Sequence, residues 1–298
     1  MQYINKSTNR DEGNEITKNY LQQIWIEDEQ RYPVDYDGSF RNLPTKANSY
    51  YKQMTRVLLN NQNHYCCYCM RRLTGNIDPA TGDPDTTLEH IIPQAANDQQ
   101  ACEYQRDEFP ELKNNIKLSR QFSHEENPNL SKLPHTVCYD NLVASCHGSF
   151  PITKRNADKV SGGHSCNHPR GTERALPLYL LSDVDTIIYY GTNGSIVANP
   201  DSQWYEEANE LINNAKLTWN TLTEIRYLWY VLKDIDIEEI LEEGRDEQSR
   251  EDLFKDNLWL YSLDENENKK IANKFKRNEY WDSFLLYSWF HSYKWNAE

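Results

Sequence analysis

Residues 50–61 carry apolar side chains at helical spacing on an otherwise polar background. The apolar positions are Tyr51, Met54, Val57 and Leu58. Apolar residues that recur three or four positions apart predict an amphipathic helix. This helix leads into the cysteines at 66–69, so we expect residues 1–60 to form an N-terminal helical region.

Two stretches that follow lack a regular apolar period. Residues 75–87 (GNIDPATGDPDTT) are rich in turn formers, which is typical of a loop between two short strands. Residues 94–137 are polar and predict irregular chain.

The pattern changes after Pro177. The apolar runs LYLL and TIIYY are followed by the turn GTNGS and the run IVA. Apolar runs on both sides of Asn193-Gly194 predict a β-hairpin, because this dipeptide favours tight hairpin turns.

Residues beyond Pro200 show helical periodicity. A first stripe consists of Trp204, Ala208, Leu211, Ile212 and Ala215, and a second of Leu222, Ile225, Leu228, Trp229 and Leu232. Thr221 and Glu224 predict a capping box at the start of the second helix, and Gly244 predicts a C-terminal stop. A last helix carries Trp281, Phe284, Leu285 and Trp289. Aromatic stripes can stack bases, but at this spacing we interpret them as core.

Composition fits one large or two ordinary domains, since the chain has 298 residues and is 38% hydrophobic. No segment approaches the roughly 20 apolar residues that span a bilayer, and the N-terminus has no apolar run behind its charges. We therefore expect a soluble, cytoplasmic protein. Seven cysteines are an odd number, so metal binding in a reducing compartment fits better than a disulfide framework.

The net charge of −14 is unevenly distributed. Charges balance over residues 1–60, sum to −2 over 61–175 and to −12 over 176–298. Nucleic-acid binding draws much of its free energy from cations that displace counterions. If the substrate is a nucleic acid, we expect another component to help hold it. An acidic 176–298 region could dock on a basic protein surface.

Cys66 and Cys69 form a C-x-x-C pair, whose spacing lets two thiolates of one turn bind one zinc ion. Cys146 and Cys166 are the candidate partners, although 19 residues separate them. We expect this insertion to loop out. His147 or His168 could replace one cysteine. We interpret Cys67, Cys102 and Cys138 as free thiols, and His64, His124, His135 and His164 as structural.

Polar residues with hydrolytic chemistry lie among these cysteines. Read in order, the sequence gives C-x-x-C, then E-H-x-x-P, then N-L-x-x-x-C, then C-N-x-x-R-G. Glu89 precedes His90, Asn141 lies five residues before Cys146, and Asn167 directly follows Cys166. Histidine can accept a proton from water near neutral pH. A hard divalent cation takes oxygen ligands, which Glu89 and Asn167 offer.

This ordered set resembles the HNH endonuclease superfamily. The phrases LLNNQNHYCCYCMRRL, LEHIIPQA and NLVASCHGS are more narrowly similar to the HNH nuclease subunit of Septu-type and retron-associated antiphage defence systems. The resemblance covers roughly residues 50–175, and the opening MQYINK also looks similar. It implies an α+β fold in which residues 61–175 form a ββα-metal catalytic module with a zinc knuckle. Residues 176–298 have no such resemblance. Their own periodicity and charge predict an α-rich acidic accessory domain with a β-hairpin, which docks a partner.

The resemblance also implies roles for these residues. His90 would be the general base, Glu89 and Asn167 would bind Mg²⁺ or Mn²⁺, and Asn141 would orient the active-site loop. Glu in place of the commoner Asp lengthens the reach to the metal, and Asn in place of His favours magnesium or manganese. The implied partner is an ABC- or SMC-like ATPase, in a complex that could contain several copies of this chain.

Arg71, Arg72 and Arg170 are the cations nearest this set in sequence, and arginine suits bidentate phosphate contact. For Arg71 and Arg72, a solvated surface position is as good an interpretation. A different class of function is a catalytically silent zinc-ribbon adaptor. An adaptor has little need of Glu89, His90, Asn141 and Asn167 together, so the sequence favours a nuclease.

Overall fold

Two helices form the start of the fold. α1 (Arg10–Ile24) buries Ile16, Tyr20 and Leu21 and packs against α2 (Ala47–Asn61). The helix predicted for residues 50–61 is thus confirmed and begins three residues earlier. The computed structural model describes residues 1–33, 47–76, 85–123, 125–148, 165–258 and 264–295.

A two-stranded ribbon follows the cysteine turn. β1 (Thr86–His90) is followed by α3 (Asp98–Tyr104), α4 (Pro110–Asn114), β2 (Ile116–Lys117), β3 (Leu133–Pro134) and β4 (Leu142–Cys146). β1 pairs with β4 antiparallel, with Thr86 opposite Cys146 and His90 opposite Leu142. The ribbon therefore places the E-H pair at one end and a cysteine at the other.

The segments predicted as loops contain short elements. In 94–137, α3 begins with a capping box between Asn97 and Gln100, and β2 pairs with β3 in parallel. The mid-part of the 75–87 loop, residues 77–84, lies outside the described residues. Its last two residues belong to β1, because β-branched threonines pair well in a ribbon.

The predicted hairpin is confirmed. After α5 (Asn167–Arg170) and α6 (Val184–Ile187), β5 (Ile188–Tyr190) pairs antiparallel with β6 (Ile196–Ala198). The LYLL run is a 3₁₀ turn over residues 178–180.

The C-terminal part is helical, as predicted. Its helices are α7 (Tyr205–Asn214), α8 (Asn220–Val231), α9 (Ile237–Glu243), α10 (Glu247–Leu258), α11 (Glu265–Phe275) and α12 (Asn278–Leu285). Both predicted apolar stripes are buried, on α7 and α8. The aromatic residues are core: Trp229 stacks on Phe284 with ring centroids 4.5 Å apart.

The predicted capping box is wrong. α8 begins at Asn220 without a side-chain cap, so Thr221 is already inside the helix. Thr221 and Glu224 instead both accept hydrogen bonds from Lys274 of α11. Gly244 does follow the end of α9. Packing explains why this position is a glycine, since a Cβ there would lie 2.3 Å from the Trp281 ring.

Backbone hydrogen bonds cross the predicted region boundaries. Ile4 N donates to Tyr179 O over 2.7 Å, and Arg72 N donates to Leu286 O over 2.7 Å. One hydrophobic cluster includes residues of all three regions. The cysteine-bearing part is thus held between the N-terminal residues and the C-terminal helices. Within the described residues, no helix is long and apolar enough to cross a membrane.

Candidate metal centre and the adjoining polar strand

A tight turn holds the first two cysteines. Cys66 N donates to Arg71 O over 2.8 Å, and Met70 N donates to Cys66 O over 3.2 Å. Met70 closes the turn with a φ of 62°. These bonds fix the backbone so that the thiols of Cys66 and Cys69 face the same point.

The other two cysteines come from β4 and from the start of α5. Cys146 N donates to Cys66 Sγ over 3.3 Å. The insertion between Cys146 and Cys166 begins and ends at the same place, because Ser165 N donates to Gly148 O over 3.0 Å. Gly148 has a φ of +85°, and a Cβ on it would lie 2.0 Å from Ser165 O. Residues 149–164 of the insertion lie outside the described residues.

The four thiols meet in one buried cluster. The Sγ atoms of Cys66, Cys69, Cys146 and Cys166 all lie within 4.8 Å of one another, and those of Cys69 and Cys146 are 3.6 Å apart. Tetrahedral zinc with Zn–S bonds of about 2.3 Å places its sulfurs about 3.8 Å apart. The donor set therefore fits one zinc ion, and the predicted partners of the C-x-x-C pair are confirmed as neighbours.

The remaining cysteines stay outside the cluster. Cys67 is not among the four grouped thiols, although its side chain lies beside that of Cys66. Burial raises the pKa of the Cys67 thiol well above its usual value. Cys138 is also buried, whereas Cys102 on α3 is exposed. His147 is not part of the metal-ligand group, and the side chain of His168 lies outside the described residues. Four cysteines thus fit the centre without a histidine.

Glu89 is buried at the face of β1 that α5 covers. Its Oε1 accepts a hydrogen bond from the Tyr68 hydroxyl over 3.1 Å and pairs with Arg170. Burial raises the pKa of this carboxyl, while Arg170 and Tyr68 oppose the rise. Both contacts use one oxygen, and among the described residues Oε2 makes no hydrogen bond.

Arg170, the last residue of α5, is also buried. Its Nη1 donates to His90 O and its Nη2 to Ile91 O, both over 2.8 Å, besides the ion pair with Glu89. In this arrangement the guanidinium braces the end of β1. The predicted phosphate contact would require it to leave these partners.

His90 lies on the other side of the strand, because successive side chains of a strand point to opposite faces. Its Nε2 is 2.9 Å from Thr136 O, and the Gln94 side chain lies 3.3 Å from the same nitrogen. A carbonyl oxygen only accepts, so the contact with Thr136 favours a proton on Nε2. The lone pair of the neutral ring is then on Nδ1.

Asn141 is fully buried and ties β4 to the chain after His90. Its Oδ1 accepts from Ile92 N over 2.7 Å, and its Nδ2 donates to Ile92 O over 3.0 Å and to His135 O over 2.8 Å. An amide can make this pattern because it carries both a donor and an acceptor. Asn141 therefore fixes the loop after the E-H pair.

Asn167 opens α5 directly after Cys166. Its Nδ2 donates to Thr87 Oγ1 over 3.1 Å. Thr87 and Glu89 are two residues apart and share a face of β1. The structure thus brings Asn167, Glu89 and Arg170 to one face, and it leaves His90 on the other.

No protein-family model, curated protein or solved structure matches the chain.

Sequence reasoning missed the residues that hold the chain on either side of Asn141. Its neighbour Asp140 is fully buried and accepts from Arg10 Nε over 3.0 Å and from Asn115 Nδ2 over 2.7 Å. Lys6 Nζ donates to Leu142 O over 2.6 Å, and burial lowers the pKa of Lys6 to about 7. Their spacing along the chain carries no motif, so only the fold identifies them.

The structure also shows cations outside the predicted set of arginines. Arg71 is buried and Arg72 is exposed. A cleft of about 540 Å³ is lined by Lys113, Lys117 and Lys132, with Asp98 as its acidic residue. Lys113 pairs with Asp107, and Lys117 pairs with Glu126. The cleft adjoins the loop that holds His90, because Ser119 N donates to His135 Nδ1 over 2.9 Å. Lysines in an irregular segment gave no sequence signal.

Proposed function

We propose that this chain is a metal-dependent HNH endonuclease that hydrolyses phosphodiester bonds of nucleic acid. In this proposal β1, β4 and α5 are the ββα-metal module, and the four cysteines hold a structural zinc ion beside it.

One observation carries the proposal: the E-H, Asn and Asn motifs, which are far apart in sequence, meet around β1. Asn141 binds the backbone of the loop that follows Glu89 and His90. Asn167 contacts the same strand at Thr87. Polar side chains with these chemistries, gathered along one short strand beside a thiol cluster, support a hydrolytic site.

His90 is the proposed general base. The hydrogen bond from its Nε2 to Thr136 O holds the ring and favours the tautomer with a lone pair on Nδ1. That nitrogen would take the proton from the attacking water. Asn141 acts as a positioning residue, because it holds the Ile92 backbone shortly after His90 and the His135 carbonyl next to Thr136.

Glu89 and Asn167 are the proposed ligands of the catalytic metal. Tyr68 and Arg170 orient the Glu89 carboxylate through Oε1, which leaves Oε2 as the ligand atom. The amide oxygen of Asn167 is the second ligand, since its nitrogen donates to Thr87. When bound, Mg²⁺ or Mn²⁺ would neutralise charge on the phosphate and the departing oxygen.

The test is a cleavage assay with plasmid, single-stranded DNA and tRNA in magnesium, with and without the protein encoded by the neighbouring gene. We expect cleavage by the wild type and a loss of about 10²–10⁴ in rate for His90→Ala, without loss of fold or zinc. His64→Ala is the control, because His64 is exposed and follows α2. Undiminished cleavage by His90→Ala would exclude His90 as the base.

We further propose that the chain works as the cutting subunit of a complex with an ABC- or SMC-like ATPase in antiphage defence. The charge of −12 over residues 176–298 repels nucleic acid and suits a basic protein surface. The cleft with Lys113, Lys117 and Lys132 is small and is the proposed contact with the phosphate backbone. A phosphate there would compete with Asp107 for Lys113 and with Glu126 for Lys117. Vigorous cleavage by the isolated chain at moderate salt, with no co-purifying ATPase, would contradict the partnership.

The Glu89–Arg170 ion pair favours a second candidate, a catalytically silent zinc-ribbon adaptor. In an adaptor, these residues would only brace β1 against α5. Glu89→Gln distinguishes the two, because it removes a metal ligand but keeps a hydrogen-bond acceptor for Tyr68 and Arg170. Loss of magnesium-dependent cleavage supports the nuclease, and absence of cleavage in every protein and condition tested supports the adaptor.

A further inference from the structure

Arg226 of α8 is a fully buried cation without an acidic partner. Its Nη2 donates to Leu217 O over 2.7 Å and its Nη1 to Gly194 O over 3.3 Å. Its guanidinium lies over the Tyr190 ring, 5.2 Å from the centroid. Within the described residues it forms no ion pair with a carboxylate, and its Nε makes no hydrogen bond.

A buried charge without compensation is costly, and arginine cannot avoid the cost by losing its proton. The other fully buried arginine near the thiols, Arg170, has Glu89 as its counter-charge. Arg226 therefore requires an anion from another source.

The short segment 215–217 connects Arg226 to the four-cysteine cluster. Cys166 N donates to Ala215 O over 2.8 Å, and Leu217, two residues further, accepts from Arg226. Burial lowers the pKa of the Arg226 guanidinium, and the interactions that oppose the decrease are with Tyr190, Cys69, Tyr287 and Cys166. Two of these four groups are proposed zinc ligands.

Zinc bound by four thiolates is a dianion in a buried environment. We propose that Arg226 is the buried counter-cation of this zinc–thiolate centre, so that α8 and the metal stabilise each other. The role is electrostatic and positioning, since Arg226 does not ligate the metal. Through this role, a C-terminal helix would increase the zinc affinity of the centre. The role does not depend on the proposed nuclease activity.

The experiment measures zinc affinity and the rate of zinc release to a coloured chelator. We expect Arg226→Met and Arg226→Gln to bind zinc about 10–100-fold more weakly, as for other residues that support metal ligands from outside. Arg226→Lys should retain most of the affinity, because it keeps the charge. Glutamine can still donate to Leu217 O, so its variant separates the charge from the hydrogen bond.

Arg250 provides the matched control. It is also buried, donates to Gly244 O and to the Asn278 side chain, and lies over the Trp281 ring. None of these partners is near a cysteine ligand in sequence, so Arg250→Met should destabilise the fold with unchanged zinc affinity.

Three outcomes would overturn the proposal. They are wild-type zinc affinity in folded Arg226→Met or Arg226→Gln, an equal loss in Arg250→Met, and a lysine variant as weak as the neutral ones. If the neutral variants do not fold, Arg226→Lys decides, because it keeps the charge: a zinc affinity well below that of Arg250→Lys would overturn the counter-cation role. Zinc-free wild-type protein would refute the metal centre itself, and no outcome depends on cleavage.

Discussion

The cysteine cluster and the polar end of β1 are neighbours, but their geometries are complete to different degrees. All four thiols face one point and satisfy the spacing of a tetrahedral site. Glu89 and His90, in contrast, lie on opposite faces of the strand, and each is held by protein groups. A structural metal site is defined by its ligands, whereas a hydrolytic site also includes its substrate. Contacts within the protein therefore define the metal centre more completely than they define the hydrolytic site.

The largest effect should come from breaking the cluster. We expect about one zinc ion per chain, and Cys166→Ser should lose it and unfold the surrounding module, because structural zinc contributes roughly 10–16 kcal/mol of apparent binding free energy. Elemental analysis and thermal unfolding measure this. Cys102→Ser, at an exposed cysteine, is the control. A folded, zinc-loaded Cys166→Ser protein would show that the four-cysteine assignment is wrong.

A smaller effect is expected from the ion pair that joins the two regions. Arg170→Met leaves Glu89 buried without its partner, which should reduce the free energy of unfolding by about 3–5 kcal/mol. The double variant with Glu89→Gln should recover part of the loss. Denaturant titration measures both.

Arg174→Met is the control for this pair, because the ion pairs of Arg174 with Glu103 and Glu210 are partly exposed. Its loss should be below about 1 kcal/mol. Equal losses for the two arginine variants would contradict a special role of the buried pair.

Asn141 tests how far the fold prepares the catalytic residues. Asn141→Ala leaves buried groups of Ile92 and His135 without partners, at a cost of about 1–3 kcal/mol. Asn141→Asp keeps the acceptor but turns a carboxylate towards two carbonyl oxygens, so it should destabilise at least as much. Both should also reduce cleavage. An Asn141→Asp protein with wild-type stability and cleavage would contradict the proposed positioning role of Asn141.

The sequence predicted features that depend on local spacing. The helix before Cys66, the hairpin at Asn193-Gly194 and the aromatic core helices follow from periodicity and turn chemistry. The partners of the C-x-x-C pair were predictable because few cysteines stand beside suitable motifs. These features are the ones that the structure confirms most directly.

Features that depend on long-range packing were not predictable. Thr221 and Glu224 match a capping box, yet α11 supplies Lys274 as their donor. Arg170 has the chemistry of a phosphate ligand, yet the fold buries it against Glu89. Arg226 carries no motif and gains its significance only from its neighbours. A residue type indicates what a side chain can do, and the packing decides its partner.

The smallest effect concerns His135, which is next to the carbonyl that holds His90. Burial lowers the pKa of His135, although hydrogen bonds to Gln94 O and Pro93 O oppose the decrease. Because the folded-state pKa lies below that of the unfolded chain, about 6.5, the unfolded chain binds more protons as the pH falls. Stability should therefore decrease below about pH 6.5. His135→Asn keeps an acceptor for Ser119 N but does not titrate, so it should flatten this dependence between pH 7.5 and 5.5. Denaturant titrations at both pH values measure it, with the exposed His64→Asn as control. If His135→Asn and wild type lose equal stability between these pH values, His135 does not cause the decrease in the free energy of unfolding at acidic pH.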